Sequence, residues 1–131
     1  MASLYAGLEK GRPYILSILR IVVALCFLEH GLQKYFAFPS AGPHMRPLLY
    51  VQGLIEIVGG ILLFVGVYTR IVAFILACDM AVAYFLAHYP RSFFPAANGG
   101  DAAVLYCFVF FYMLFAGGGR WSVDRIVLKR D

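Results

Sequence analysis

The stretch YILSILRIVVALCFLEHGLQKYF, residues 14–36, is apolar over most of its length and ends in a group of polar side chains. At about 1.5 Å per residue, a helix of this length crosses the roughly 30 Å hydrocarbon core of a bilayer. Its last turns hold Glu29, His30, Gln33 and Lys34, which a hydrocarbon environment tolerates only when they have partners. The stretch therefore predicts a membrane-spanning helix with a specialised polar end.

Three further apolar stretches follow, at 47–67, 71–88 and 98–116. The chain has 131 residues, of which 63% are hydrophobic and 14% charged, and its mean hydropathy is +0.82. These values lie far from those of soluble proteins. They predict a single all-α domain over residues 1–131, an integral membrane four-helix bundle whose first helix begins near Pro13. Because the first apolar run carries Arg20 and leads into further spans, we expect no cleaved signal peptide.

Lysine and arginine are unevenly distributed between the two sides that alternating spans define. Seven lie on the side of the termini and three on the other: Lys10, Arg12, Arg70, Arg120, Arg125, Lys129 and Arg130 against Lys34, Arg46 and Arg91. Because loops rich in lysine and arginine stay in the cytoplasm, both termini are predicted to be cytoplasmic, in a bacterial inner membrane. Residues 117–131 then form a short interfacial tail against anionic lipid, and the net charge of +4 requires no nucleic-acid partner.

Three ionisable residues, Arg20, Glu56 and Asp79, fall inside predicted spans. A charge there costs about 2.5 to 3.5 kcal/mol, and alternating helix directions place all three in the middle third of the bilayer. Glu56 shares a helix face with Gly59 and Gly60, so it should point into the bundle. We therefore predict an internal Arg20–Glu56 pair, joined by Asp79, with a structural or catalytic role. The alternative for Arg20 is snorkelling to the headgroups.

A second polar group gathers at the predicted outer level of the bundle. Its members are the candidate ligand-binding residues His30, Gln33, Lys34, His88, Asn98 and Asp101. Asn98 and Asp101 open the last span, where free N–H groups favour anions. These residues predict an outward-facing polar mouth. The alternative is that they are interfacial caps, which we prefer for Glu29. The spacing of the histidines is not that of metal ligands, so no metal site is predicted.

The three cysteines, Cys26, Cys78 and Cys107, lie in different spans and form no CxxC pair. We expect them to behave as small buried apolar residues rather than as a disulfide framework or a thiol relay. The sequence contains no Rossmann fingerprint, haem motif or iron–sulfur spacing. A redox centre would therefore be a diffusible quinone, a thiol, or a group on a partner protein.

Several short motifs, taken in order along the chain, resemble the DoxX family of small four-helix membrane proteins. They are Arg20, His30-Gly31-x-Gln33-Lys34, Glu56-x-x-Gly59-Gly60, Asn98-Gly99-Gly100-Asp101 and Trp121-Ser122-x-Asp124. The resemblance covers residues 14–126. Related proteins are associated with a thiosulfate:quinone oxidoreductase and with an oxidative-stress complex that contains a superoxide dismutase and a sulfurtransferase.

This resemblance implies a membrane subunit of an oxidoreductase system that interacts with quinone, and it leaves open whether the chain is itself an enzyme. The outer polar group would then bind an anion or a headgroup, while Arg20 and Glu56 would polarise a quinone carbonyl or relay its proton.

Two other functions stay open, a non-catalytic anchor or assembly factor for redox enzymes and a carrier for a small anion or proton. A carrier is less favoured because the chain shows no inverted repeat. The stripe of Ala73, Ala77 and Ala81 predicts a helix contact, and it is compatible with a homodimer.

Overall fold

The computed structural model describes residues 1–130, which form helices and connecting loops without any strand. The helices are α1 (Ala2–Phe36), α2 (Pro47–Val65), α3 (Thr69–Ala83), α4 (Pro95–Asn98), α5 (Asp101–Ala116) and α6 (Val123–Ile126). A π-helical turn, Tyr84–His88, continues α3. The predicted all-helical class is confirmed for the described residues.

Three helical segments are long and apolar enough to cross a membrane: Ser3–Phe36, Pro47–Val65 and Thr69–His88. The protein is therefore a helical membrane protein. The apolar helix α5 is shorter, at 16 residues, or about 24 Å. That α5 forms a fourth span, and that both termini are cytoplasmic, stay predictions.

The four longer helices alternate in direction, and α1 packs mainly on α2 while α3 packs mainly on α5. The bundle therefore has two ends. We call the end that holds the α1 start and the residues after α5 the terminal end. The other, which holds the loops at 37–46 and 89–100, is the loop end. Phe27, Leu63 and Phe110 are buried between the helices. Large apolar side chains such as Phe74 and Phe108 are exposed on the outside, as suits a surface that faces lipid.

Small residues set the distances between helices inside the bundle. A Cβ placed on Gly31 of α1 would lie 2.7 Å from Ile57 Cγ1 and 3.0 Å from the Gly53 carbonyl oxygen of α2. Ala73 and Ala77 are buried in the core of the same chain. The predicted helix contact of the alanine stripe is confirmed for these two residues. Because they are covered within the chain, they give no support to a homodimer.

The first helix begins earlier than predicted, because Pro13 lies inside α1 rather than in its first turn. A proline in a helix costs one backbone N–H hydrogen bond. Leu8, Glu9, Lys10 and Arg12, which precede Pro13, are good helix formers, and the helix therefore extends toward the N-terminus beyond the proline.

The three cysteines are free. Cys26 and Cys78 are exposed on the outer surface of the bundle, so the prediction that they are buried is wrong. Cys26 lies two positions after the buried Ala24 and Cys78 one position after the buried Ala77, which are turns of about 200° and about 100° around the helix, so both side chains face away from the core. Cys107 is partly buried.

Candidate functional site

Arg20 is fully buried, and its guanidinium group binds four backbone carbonyls near the terminal end. Nε donates to the Gly118 oxygen at 2.8 Å and Nη2 to the Trp121 oxygen at 3.0 Å. Nη1 donates to the Leu63 oxygen at 2.6 Å and to the Phe64 oxygen. The Leu63 and Phe64 carbonyls belong to the last turn of α2, where carbonyl groups have no partner within the helix. Arg20 therefore caps α2 and attaches the segment after α5.

The predicted Arg20–Glu56 pair is wrong, because Arg20 binds these carbonyls and Glu56 binds Lys34. The reason is the direction of the side chains. A helical side chain leans toward the N-terminus of its own helix. Arg20 of α1 thus leans toward the terminal end, whereas Glu56 of α2 leans toward the loop end. The positions of their Cα atoms along the bundle, which suggested the pair, do not reveal this divergence.

The segment after α5 is bound to the helices through Asp124. Its Oδ1 accepts a hydrogen bond from the Tyr68 N–H and its Oδ2 one from the Thr69 N–H, each at 2.7 Å, at the start of α3. Its own N–H donates to the Gly66 oxygen at 2.9 Å. A second link is made by Ser17 of α1, whose Oγ accepts from the Trp121 N–H. The tail predicted at 117–131 is thus fixed to the bundle over these residues, and its contact with anionic lipid stays a prediction.

A cavity of about 380 Å³ lies beside this segment, and Gly118, Ser122 and Asp124 form part of its wall. Gly118 and Asp124 hold the C-terminal segment in place through the contacts given above, and Ser122 Oγ donates to the Gly119 oxygen at 2.9 Å within that segment. The cavity therefore follows from the way in which the segment folds back.

A different cavity, of about 330 Å³, lies at the loop end between α1, α2, the end of α3, and α5. Its polar lining residues are His30, Lys34, Gln52, Glu56, His88 and Tyr106. Four of the residues predicted for the site therefore meet there, namely His30, Lys34, Glu56 and His88. The apolar part of the wall includes Phe27 and Met80.

A buried ion pair forms one wall of this cavity. Lys34 Nζ lies 2.6 Å from Glu56 Oε1, and the two side chains are only 9% and 3% exposed. Lys34 Nζ also donates to Gln52 Oε1 at 3.0 Å. The other carboxylate oxygen, Glu56 Oε2, is buried and has no hydrogen-bond partner among residues 1–130. The prediction that Glu56 points into the bundle is confirmed.

Asp79 of α3 lies beside this ion pair. Its half-buried carboxylate interacts electrostatically with Lys34 and with Glu56, and the Gln52 side chain is a hydrogen-bond partner. Its Oδ2 is buried without a hydrogen-bond partner among the residues described. Asp79 therefore joins Glu56 as predicted, although the cation that interacts with both carboxylates is Lys34 rather than Arg20. We call Lys34, Glu56 and Asp79 the charge cluster.

Two histidines and a tyrosine also line the cavity. The His30 ring meets the Tyr106 ring edge-on, with 5.8 Å between the ring centres. His88 Nδ1 lies 3.1 Å from the Asn98 carbonyl oxygen. Because a carbonyl oxygen only accepts hydrogen bonds, Nδ1 is the donor in this contact.

The other predicted site residues do not line the cavity. Asn98 is buried and holds the 89–100 loop together, for example by accepting a hydrogen bond from the Gly100 N–H at 2.7 Å. Gln33 donates to Ser40 Oγ at 3.0 Å in the other loop. Asp101 is exposed in the first turn of α5. Asn98 and Gln33 therefore stabilise the two loops that border the cavity.

Sequence reasoning missed three residues. Gln52 lies four positions before Glu56 and hence on the same helix face, a signal that could have placed it in the site. Asp124 lies in the motif Trp121-Ser122-x-Asp124, but its role depends on a contact with the distant start of α3. Tyr106 lies in a uniformly apolar run and gave no signal. Within residues 1–130, no group of three or more His, Cys, Asp or Glu side chains could hold a metal ion.

The fold and this cavity define a small helical membrane protein with an internal polar site. The family model described as DoxX matches residues 15–89, which include Arg20, Lys34, Glu56 and Asp79. The chain belongs to the DoxX family.

Two relatives cover nearly the whole chain. An uncharacterized protein of Haemophilus influenzae is 47% identical over 132 residues, which span 95% of this chain and 98% of that protein. An uncharacterized membrane protein of Mycobacterium tuberculosis is 32% identical over 142 residues, 92% of this chain and 85% of that protein. No solved structure matches the chain.

Proposed function

We propose that this chain is a membrane subunit of a quinone-linked oxidoreductase system in the bacterial inner membrane, and that the cavity at the loop end binds the quinone headgroup. The observation that carries the proposal is the 330 Å³ cavity with the buried Lys34–Glu56 ion pair in its wall. Intramembrane ionisable groups are costly, and those that face an interior cavity usually serve a function.

The chemistry of the lining suits a quinone. A quinone headgroup is a flat ring with two carbonyl oxygens, which need hydrogen-bond donors when they are buried. Lys34, His30 and the Tyr106 hydroxyl are donors of this kind, and Phe27 offers an aromatic surface. Glu56 exchanges a proton with the ligand, and Arg20 takes no part in this step because it lies near the other end of the bundle.

Electrons enter this system from a small reductant on the outer side, such as thiosulfate, or from a partner enzyme linked to oxidative stress. Reduction of a quinone to a quinol takes up two electrons and two protons, so the site needs both a donor of electrons and a source of protons. The cavity lies at the loop end, which the distribution of lysine and arginine predicts to face outward.

Solvent extraction of the purified protein, followed by mass spectrometry for quinones, tests the proposal. The variant Glu56→Gln should lose the bound quinone, whereas Glu29→Gln, an exposed change on α1, should retain as much as the wild type. If the wild type holds no more quinone than an unrelated membrane protein prepared in the same way, the anchor or assembly function replaces the proposal.

A further inference from the structure

The charge cluster contains one cation and two carboxylates. Lys34 is bonded to Glu56 at 2.6 Å and interacts with Asp79. With both carboxylates ionised, the cluster carries one net negative charge. Arg20 does not offset it, because its electrostatic partner is Asp124 at the terminal end.

Burial makes this excess charge costly. Glu56 is 2% exposed. Both unpartnered oxygens, Glu56 Oε2 and Asp79 Oδ2, are buried as well. An ionised carboxylate in such a place needs a donor for each oxygen, and a buried charge without a partner is strongly destabilising. A proton on one carboxyl group removes the net charge and turns an acceptor into a donor.

The charged and titratable groups near the cluster come from several helices. His30 of α1, His88 at the end of α3 and Tyr106 of α5 face the same cavity. The exposed Glu29 acts electrostatically on His30. Neither histidine is a hydrogen-bond partner of the unpartnered oxygens in the part of the chain that the structure describes.

We propose that Glu56 and Asp79 together hold one exchangeable proton, so that the charge cluster is neutral, and that this site exchanges protons with the cavity. Coupled carboxyl groups titrate as a pair, so the proton belongs to both residues. Its transfer to a bound quinone rests on the function proposed above. The presence of the proton does not, because it follows from the cluster alone.

Infrared difference spectroscopy of the purified protein at neutral pH tests the proposal, with water exchanged for D₂O. The wild type should show the carbonyl stretch of a protonated carboxylic acid, shifted by the exchange. Glu56→Gln and Asp79→Asn should each abolish this band, because the remaining carboxylate then forms a neutral pair with Lys34. The control variants Glu29→Gln and Asp101→Asn, which change exposed acids, should leave the band unchanged.

A wild-type spectrum without this band overturns the proposal, and so does a band that persists in both cluster variants. The wild-type spectrum suffices if a variant fails to fold. A band that is absent from the wild type but appears in His30→Gln also overturns it, since a histidine cation then balances the charge. A quinone-free preparation that shows the band supports the proton site even if quinone binding fails.

Discussion

Two cations on one helix, Arg20 and Lys34, perform different tasks because their chemistry differs. Arginine presents several donors in a rigid plane and suits a site where carbonyl groups converge from different segments. Arg20 meets four such groups, from α2 and from the segment after α5. Lysine carries its charge on one nitrogen atom at the end of a flexible side chain. Lys34 donates from this Nζ atom to both Glu56 and Gln52. Arg20 is therefore a structural residue, and Lys34 belongs to the site.

Replacing Arg20 with lysine should destabilise the protein without altering the cavity. A lysine cannot donate to four carbonyls at once, and each charged hydrogen bond lost costs about 1.5 to 3 kcal/mol. We expect Arg20→Lys to lower the midpoint of thermal unfolding, while the folded fraction keeps the quinone content of the wild type. Arg91→Lys, on the exposed surface, is the matched control. Loss of quinone from a fully stable Arg20→Lys variant would contradict the structural role.

Removing Lys34 alone should cost more than removing both members of its ion pair. Lys34→Met leaves Glu56 as a buried carboxylate without its cation, at a cost of about 3 to 5 kcal/mol. The double variant Lys34→Met with Glu56→Gln removes both charges of the ion pair and leaves only the half-buried Asp79 without its cation, so it should recover part of this stability. Denaturant unfolding of the four proteins in the cycle measures the coupling. Additive effects of the two changes would show that the pair is not coupled.

At the scale of helices, sequence patterns predicted the apolar segments well and the contacts between them less well. The glycine face around Glu56 was visible because helical spacing is fixed, and its burial is confirmed. The predicted partner of Glu56 was wrong because the length of an apolar segment gives the depth of a Cα atom in the membrane but not the direction of a long side chain. The attachment of Asp124 to the start of α3 joins residues 55 positions apart, which no local pattern encodes.

The close contact between α1 and α2 should tolerate no side chain at position 31. The Cβ of Gly31→Ala would meet the Gly53 carbonyl oxygen at 3.0 Å, so we expect a destabilisation of about 1 to 3 kcal/mol from overpacking. Gly11→Ala is the control, because its Cβ would meet nothing within 4 Å. That variant should be neutral or more stable by about 0.5 to 1 kcal/mol, as for alanine in a helix. Thermal unfolding of the two variants in one detergent compares them, and equal midpoints would contradict the packing account.

The two ends of the bundle have different roles. The terminal end is held together by Arg20, Ser17 and Asp124, which connect α1, α2 and α3 to the segment after α5. The loop end contains the cavity, and the charge cluster lies beside it. This separation explains how intramembrane charges can serve both stability and a site in a chain of 131 residues.

The distribution of positive charge predicts which end faces the cytoplasm. In a background without the three native cysteines, His44→Cys should react with a membrane-impermeant maleimide in spheroplasts. Lys129→Cys should react only after the membrane is opened. Both positions are exposed in the structure, so a difference reports orientation. Labelling of Lys129→Cys in intact spheroplasts, with protection of His44→Cys, would contradict the predicted orientation.

The central claim is that the cavity at the loop end binds a quinone, and the most direct test is photolabelling with an azidoquinone followed by peptide mass spectrometry. We predict that the label attaches within residues 27–34 or 102–106, two segments that each contribute side chains to the cavity wall, and that an excess of unlabelled quinone prevents it. Labelling that excess quinone does not reduce, or labelling confined to the lipid-exposed face formed by Leu54, Val58 and Ile75, would contradict the account.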